Sequence, residues 1–284
     1  MLELTGLGSV LRGIGVLYWL AALAFLIGAV MSPRTRAGKA IAVAITLAAF
    51  AYLPGSDYVE QQKRAAFERE AWAYFKNKCA TEAGEKIYKT FSGVKSVLVV
   101  KPLPPATEKD LYDQFWYGDP YSNTSTLRRE KYHALALLER TSVASKKEGT
   151  GFEFFEVASK NSAAAFTQVR KSSVAPFWTE SPNYITPVSR FGIAWLDISK
   201  PEDRRYWVAG SKLQILDLSD NSVLAERIGF FVETGFGSTA GQRRPWQSSH
   251  SATTTCPPIS TSGFSDNWFI FSVLAPFQGA PNGK

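Results

Sequence analysis

The sequence predicts an α+β protein: an N-terminal transmembrane helical hairpin, then a mainly antiparallel β domain with one or more flanking helices. Three observations carry this. Two apolar runs stand close together in the first 55 residues. Apolar residues then recur at helical spacing from 57 to 82. Beyond residue 151, short β-rich segments alternate with turn-forming residues.

After a tail of residues 1–12, the run 13–31 reads GIGVLYWLAALAFLIGAVM and carries no charge over 19 residues. At 1.5 Å per residue this is about 28 Å of helix, close to the hydrocarbon thickness of a bilayer. A second run, AIAVAITLAAFAYL at 40–53, is shorter and extends to residue 55 before the helix ends. Lys39 can snorkel to the headgroups and Tyr52 suits the opposite interface. Ala40, Ala44 and Ala48 form a ridge of small residues that suits close packing on Ala21, Ala24 and Gly28. The link 32–39 holds Arg34, Arg36 and Lys39, whereas the tail holds Arg12 alone, so the link is the expected cytoplasmic element. Both termini then lie outside, with residues 56–284 forming an extracytoplasmic domain.

A second reading starts the chain at Met31. Arg34, Arg36 and Lys39 would head a signal peptide, 40–48 would be its apolar core, and Ala49-Phe50-Ala51 its cleavage site. Both readings deliver the domain to the same side.

Pro54-Gly55 reads as a helix end, and Asp57 with Glu60 as the capping box of a new helix. Phe67, Ala71, Tyr74, Phe75 and Cys79 give that helix an apolar face. KIYKTF and KSVLVVKP, split by Ser92-Gly93, read as a hairpin. Thr107 to Trp116 suggests a short helix, 117–123 a turn cluster, and 126–140 a further helix. Strands are expected at 152–158, 164–171, 190–199, 204–210, 212–218 and 223–233, the last four as a meander. A Gly/Ser/Thr/Pro-rich loop at 235–266 and a final strand, NWFIFSVLAP, complete the chain.

Cys79 and Cys256, one near each end of the domain, can form a disulfide in an oxidising compartment, or be two unrelated buried thiols. Cys79 falls near a helix C-terminus, where the dipole raises a thiol pKa, so a structural role is expected. Two distant cysteines with His133 and His250 give no metal-ligand spacing, so no metal is expected.

The run CATEAGEKIYKT from Cys79 to Thr90, with its C-x4-G-E-K-I-Y spacing, resembles a signature in small membrane-anchored proteins of proteobacteria. Those proteins also place apolar helices first and a cysteine on the helix before the first strand. VLAER and VLAP match more loosely. The resemblance implies a bacterial inner-membrane setting, in which the outside expected from the charges is the periplasm, and it carries no activity across.

The phosphate-binding GxxxxGK[ST], the GxGxxG turn, the GxSxG elbow, HExxH and CxxC are all absent. The apolar runs hold no ionisable residue, which argues against a transporter or proton relay. The net charge of +7 is shared between the membrane segment and the domain, where 28 basic residues face 24 acidic ones from 56 onward. The basic pairs Lys146-Lys147, Arg204-Arg205 and Arg243-Arg244 are scattered, so they read as solvated charge and nucleic acid is not an expected partner. Asp197, Asp217 and Glu226 alternate with apolar residues, as outward positions of a half-buried sheet. Phe115-Trp116-Tyr117 before Gly118-Asp119-Pro120 is the candidate binding patch, with Trp116, Tyr117 and Asp119 as its residues; aromatics covering the edge of the core is the alternative. Asn123-Thr124-Ser125 fits a glycosylation acceptor that matters only in a eukaryotic secretory setting.

The expected function is a non-enzymatic binding or accessory protein of the envelope. It contacts the lipid bilayer through residues 13–53 and another envelope protein through its domain, with no catalytic residue and no cofactor. The alternative is a membrane-anchored hydrolase acting on an envelope substrate.

Overall fold

The computed structural model describes residues 7–31, 33–103, 106–122, 133–140, 149–159, 165–172, 174, 178–181, 184–247, 251–258 and 265–277. It divides into two units, Met1–Arg69 and Glu70–Lys284, described in turn.

In the first unit, the uncharged run lies within helix α1 (Leu7–Met31). Its section Ile14–Met31 is long and apolar enough to cross a membrane. Helix α2 (Arg36–Thr81) starts inside the expected link, which shortens that link. Pro54 sits within α2 instead of ending it. The helix bends there by 42° between its Arg36–Tyr52 and Pro54–Thr81 sections, as expected where a proline removes a hydrogen-bond donor and crowds the preceding turn. The Asp57–Glu60 capping box is therefore helix interior. The alanine ridge is also turned. Ala22 and Ala29 of α1 are buried, whereas Ala21, Ala24, Gly28, Ala40, Ala44 and Ala48 are exposed. Tyr18 Oη donates to Phe50 O at 2.5 Å, and the Tyr18 and Phe25 rings lie 5.4 and 5.6 Å from that of Phe50. Aromatic bulk has selected a different face from the one the small residues mark.

The second unit begins with the last turns of α2. Strands β1 (Gly84–Ile87), β2 (Phe91–Val94) and β3 (Ser96–Lys101) follow. A 3-10 turn at His133–Leu138 leads into the short pair β4 (Glu139–Arg140) and β5 (Gly149–Thr150). Then come β6 (Phe154–Ala158), β7 (Phe166–Lys171), β8 (Trp178–Glu180) and β9 (Phe191–Asp197). Helix α3 (Pro201–Arg205), β10 (Val208–Asp217), β11 (Ser222–Val232), β12 (Thr255–Cys256), helix α4 (Ser265–Val273) and β13 (Leu274–Pro276) complete the order.

Among the described residues the main sheet has nine strands in the order β1-β11-β10-β9-β3-β6-β7-β8, with β12 also on β11. It is mixed. Its centre, β9–β3–β6, is parallel, and the remaining pairs are antiparallel. The expected hairpin around Ser92-Gly93 does not form: β1 pairs with β11, β2 with β13, and β3 with β6 and β9. The run Val97-Leu98-Val99, buried without alternation, is what a strand flanked and covered on both faces requires.

Two more expectations are corrected. Residues 204–210 and 212–218 are not separate strands, because Lys200-Pro201-Glu202-Asp203 opens α3 and β10 then runs unbroken from Val208. Proline suits a first helical position, and Asp203 Oδ2 accepts from Lys200 N–H at 2.7 Å. NWFIFSVLAP is helix α4 followed by only three strand residues. Helical spacing there buries Phe269, Ile270 and Val273 in the core. Thr107–Trp116 forms turns rather than a helix, and the expected helix at 126–140 resolves to 3-10 and strand from His133, with 126–132 outside the described residues.

The core gathers Val97, Val99, Phe155, Ile193, Leu213 and Ile215 from the sheet against Leu137, Phe269 and Ile270. Each such side chain contributes about 1.5–3 kcal/mol on full burial. A second cluster packs Phe75 of α2 on Val208, Phe230 and Val232, with Trp72, Tyr206 and both cysteines at its border.

Candidate functional site

The sequence-level patch separates on folding. Asp119 takes a left-handed φ of 55°, which an aspartate tolerates better than most residues, and its carboxylate turns inward. Oδ2 accepts from Ser211 Oγ at 2.7 Å and Oδ1 from Ser122 N–H at 3.1 Å, while its own N–H donates to Asp197 Oδ2 at 3.0 Å. Burial, with the Asp197 charge nearby, raises the Asp119 pKa well above the usual carboxylate range, against the Ser211 hydrogen bond. Asp197 also accepts from Arg204 Nη2 at 2.5 Å. Arg204 is fully buried, its guanidinium 4.9 Å from the Trp246 ring and 5.4 Å from that of Tyr117. Arg204 is thus no solvated charge; burial lowers its pKa, against the pull of Asp197. Only Arg205 of that pair is exposed.

Trp116 folds back over Gly118, where an added β-carbon would fall 1.7 Å from the indole. Tyr117, 50% exposed, roofs the Arg204 guanidinium. Gln114 Nε2 donates to Arg204 O at 2.8 Å and Trp246 Nε1 to Asp113 O at 2.6 Å, fastening the same segment. Trp116, Tyr117 and Asp119 therefore close a polar layer at the edge of the core. Arg227 extends that layer, donating to Asp266 Oδ1 at 2.8 Å and to Tyr121 Oη at 2.6 Å. Of the carboxylates read as outward-facing, Asp197 and Asp217 are held in such networks, and Glu226 stays part-exposed with Lys212 and Gln214.

Cys79 and Cys256 are joined by a disulfide with Cα atoms 5.7 Å apart. It ties the end of α2 to β12. Beside it, Lys78 bridges Glu82 at 2.8 Å and the buried Asp203 at 3.3 Å. Burial pulls the Lys78 pKa down, but the two carboxylates outweigh it and the net shift is upward. Tyr74 Oη donates to Asp203 Oδ1 at 2.6 Å while its ring stacks on Tyr206 at 4.7 Å.

A concave surface of the second unit lies elsewhere, at the starts of β3 and β9. A cleft of about 430 Å³ is walled by Phe91, Phe154, Val188 and Phe191, and floored by the chain from Ser92 to Ser96. Cations stand on these rings: Lys89 lies 4.9 Å from Phe91, Arg190 5.0 Å from Phe91 and 5.1 Å from Phe191, and Arg170 4.3 Å from Phe154. Lys95 is exposed, 5.4 Å from the Phe277 ring. Of the nearby carboxylates, Glu153 and Asp220 are exposed, whereas Asp217 and Glu156 are held by internal partners. Asp217 takes a bidentate bond from Arg190, at 2.6 Å to Nη2, which with Ser219 holds its pKa well below the usual range. Glu156 accepts from Tyr184 Oη, from Val188 N–H at 3.0 Å and from Ser189 N–H at 2.7 Å. Burial pushes the Glu156 pKa up, but these bonds outweigh it and keep the group ionised.

The local signal for this cleft, a cation within two residues of a phenylalanine at Lys89–Phe91 and Arg190–Phe191, is in the sequence. It gains meaning only when β3 brings the two pairs together. Among the described residues no three His, Cys, Asp or Glu side chains converge as for a metal ion. His133 opens the 3-10 turn, whereas His250, Asn123-Thr124-Ser125 and Lys146-Lys147 lie outside the described residues. Comparison of the chain with protein-family models, curated proteins and solved structures gives no match.

Proposed function

We propose that this chain is a membrane-anchored binding protein of the bacterial envelope, presenting an extracytoplasmic domain whose cleft captures another envelope protein. The observation that carries the reading is the cleft itself. Its walls are phenyl rings and main chain, Lys95 and Arg190 are among its lining residues, and no carboxylate, imidazole or thiol is. Such a surface recognises a ligand by burial and charge rather than by proton transfer, which needs a group free to exchange its proton.

The setting rests on three supports. Ile14–Met31 has the length and apolarity of a span. The basic residues Arg34, Arg36 and Lys39 favour a cytoplasmic link between α1 and the first section of α2, so that the two cross the inner membrane as a hairpin. A disulfide between Cys79 and Cys256 suits an oxidising periplasm and is rare in a reducing cytosol.

The test pairs topology with proximity. A C-terminal reporter active only outside the cytoplasm is expected to be active. A photocrosslinking residue at Ser92, in the cleft, is expected to give a discrete protein adduct in cells, and one at the exposed Ala252 beside β12 none. An inactive reporter would overturn the compartment; equal labelling from both positions would overturn the binding role of the cleft.

A further inference from the structure

We infer that the cleft recognises an extended peptide in which acidic and apolar residues alternate, a segment of a partner protein; this rests on the binding role proposed above. Three features select that chemistry. The first is charge. Lys95 and Arg190 line the cleft, and Lys89 and Arg170 stand on its Phe91 and Phe154 rings. Asp217 and Glu156 are turned to internal partners, so these four cations face two exposed carboxylates, Glu153 beside Lys95 and Asp220 near Lys89 and Arg190. Arg190 stays 53% exposed even while it holds Asp217, so guanidinium surface remains open to a second anion.

The second feature is shape. The volume lies in the ordinary range for ligand sites, and Phe91, Phe154, Val188 and Phe191 offer separate apolar contacts between the cations. A free phosphate or a lone carboxylate would leave those rings uncovered. A chain whose side chains alternate at the extended-strand period presents acid and apolar groups in turn.

The third feature is the floor. Gly93 adopts a left-handed φ of 69°, a conformation glycine takes at little cost, and has no side chain to cover its peptide groups. Ser92 and Gly93 are exposed, and among the described residues β2 pairs with β13 alone. Main-chain groups at the cleft are thus within reach of another extended backbone, as in other peptide-recognition edges. A second copy of this chain is disfavoured as occupant, because it would set two cationic rims against each other.

The test uses the full chain in detergent micelles and fluorescein-labelled octapeptides of alternating Asp/Glu and Val, with Lys-Val and Asp-Ser versions as controls. The acidic apolar peptide is expected to bind, more weakly as salt rises, and both controls at least tenfold more weakly. Lys95→Glu and Lys89→Glu alter exposed side chains and should each weaken binding roughly five- to tenfold, the range for losing an exposed pair and adding a repulsion. Arg190 is left intact, since its removal would strand Asp217.

Equal affinity for the acidic and basic peptides, or no response to either substitution, would overturn the inference. So would self-association of the chain that the Lys95→Glu variant strengthens, or protection of Lys95 from amine acylation by anionic lipid nanodiscs without peptide binding. If the Ser92 crosslink forms in cells while none of the peptides binds, the binding role stands and the peptide class falls. Loss of both removes the site.

Discussion

Replacing both Cys79 and Cys256 by alanine should remove the largest single contribution to the domain that can be calculated from the chain. The two residues are 177 positions apart, and on the chain-entropy relation closing a loop of that length stabilises the folded state by about 5 kcal/mol. Measured values are usually lower, so a loss of about 3–5 kcal/mol is expected. Native contacts should largely survive, because Phe75 remains in its cluster and Lys78 on Asp203; the change lies in an unfolded chain freed to expand. Urea unfolding of the full chain in micelles, followed by tryptophan fluorescence, reads the effect. With a slope of about 2 kcal/mol per molar, the midpoint should fall by roughly 2 M, and the slope itself should rise. Cys79→Ala alone should cost nearly as much as the double replacement, since either breaks the bond. A double variant within 1 kcal/mol of a parent whose thiols resist alkylation would refute the reasoning.

Tyr74→Phe removes a hydrogen bond to the buried Asp203 but leaves Lys78 and Lys200 N–H on it, so unfolding should cost about 2 kcal/mol less by the same titration. At Gly229 an added β-carbon would lie 2.4 Å from Tyr121 Cζ, so Gly229→Ala should destabilise by about 1–3 kcal/mol and loosen the Tyr121–Arg227 bond, seen as a lower thermal midpoint. Asp119 predicts a pH dependence. Its folded pKa is raised, so its contribution is fully present below the unfolded value of about 3.9 and is lost as pH rises through the folded one. Stability profiles of parent and Asp119→Asn should therefore diverge, with the parent losing relative stability as pH rises; parallel profiles would count against a raised Asp119 pKa. Glu156 acts with the opposite sign: its stabilisation is lost as pH falls, and Glu156→Gln should flatten the acid limb.

Local chemistry explains which elements were readable from sequence. The uncharged run of α1 and the long β9–β10–β11 antiparallel stretch announce themselves by composition, period and turn residues such as Asn221, whose φ of 57° suits its turn. Partners far away in the chain do not. Nothing near Val97 says that it will lie between Phe155 and Phe191, so the local pattern pairs adjacent strands with each other. FIFSVLAP is apolar enough for either strand or helix, and what decides is the space left against Trp195, Leu213 and Ile215, a tertiary property. The site was legible only in fragments. Arg204 and Arg205 are identical in sequence and opposite in burial, because only one of them meets Asp197 between two aromatic rings. The cleft needed β2, β3 and β9 assembled before its cations and phenyl rings shared a wall.

The parallel centre of the sheet also governs when folding can happen. Strand β3 leaves the ribosome early, yet its neighbours are residues 154–157 and 191–194, and β2 waits for residues 274–276. So high a contact order slows folding, since loop closure must precede the contacts that reward it. The nascent domain consequently stays open through most of its synthesis, with the apolar strand Val97-Leu98-Val99 uncovered. A chain in that state has the openness that threading through a translocation channel requires, and for the same interval that strand is exposed to aggregation.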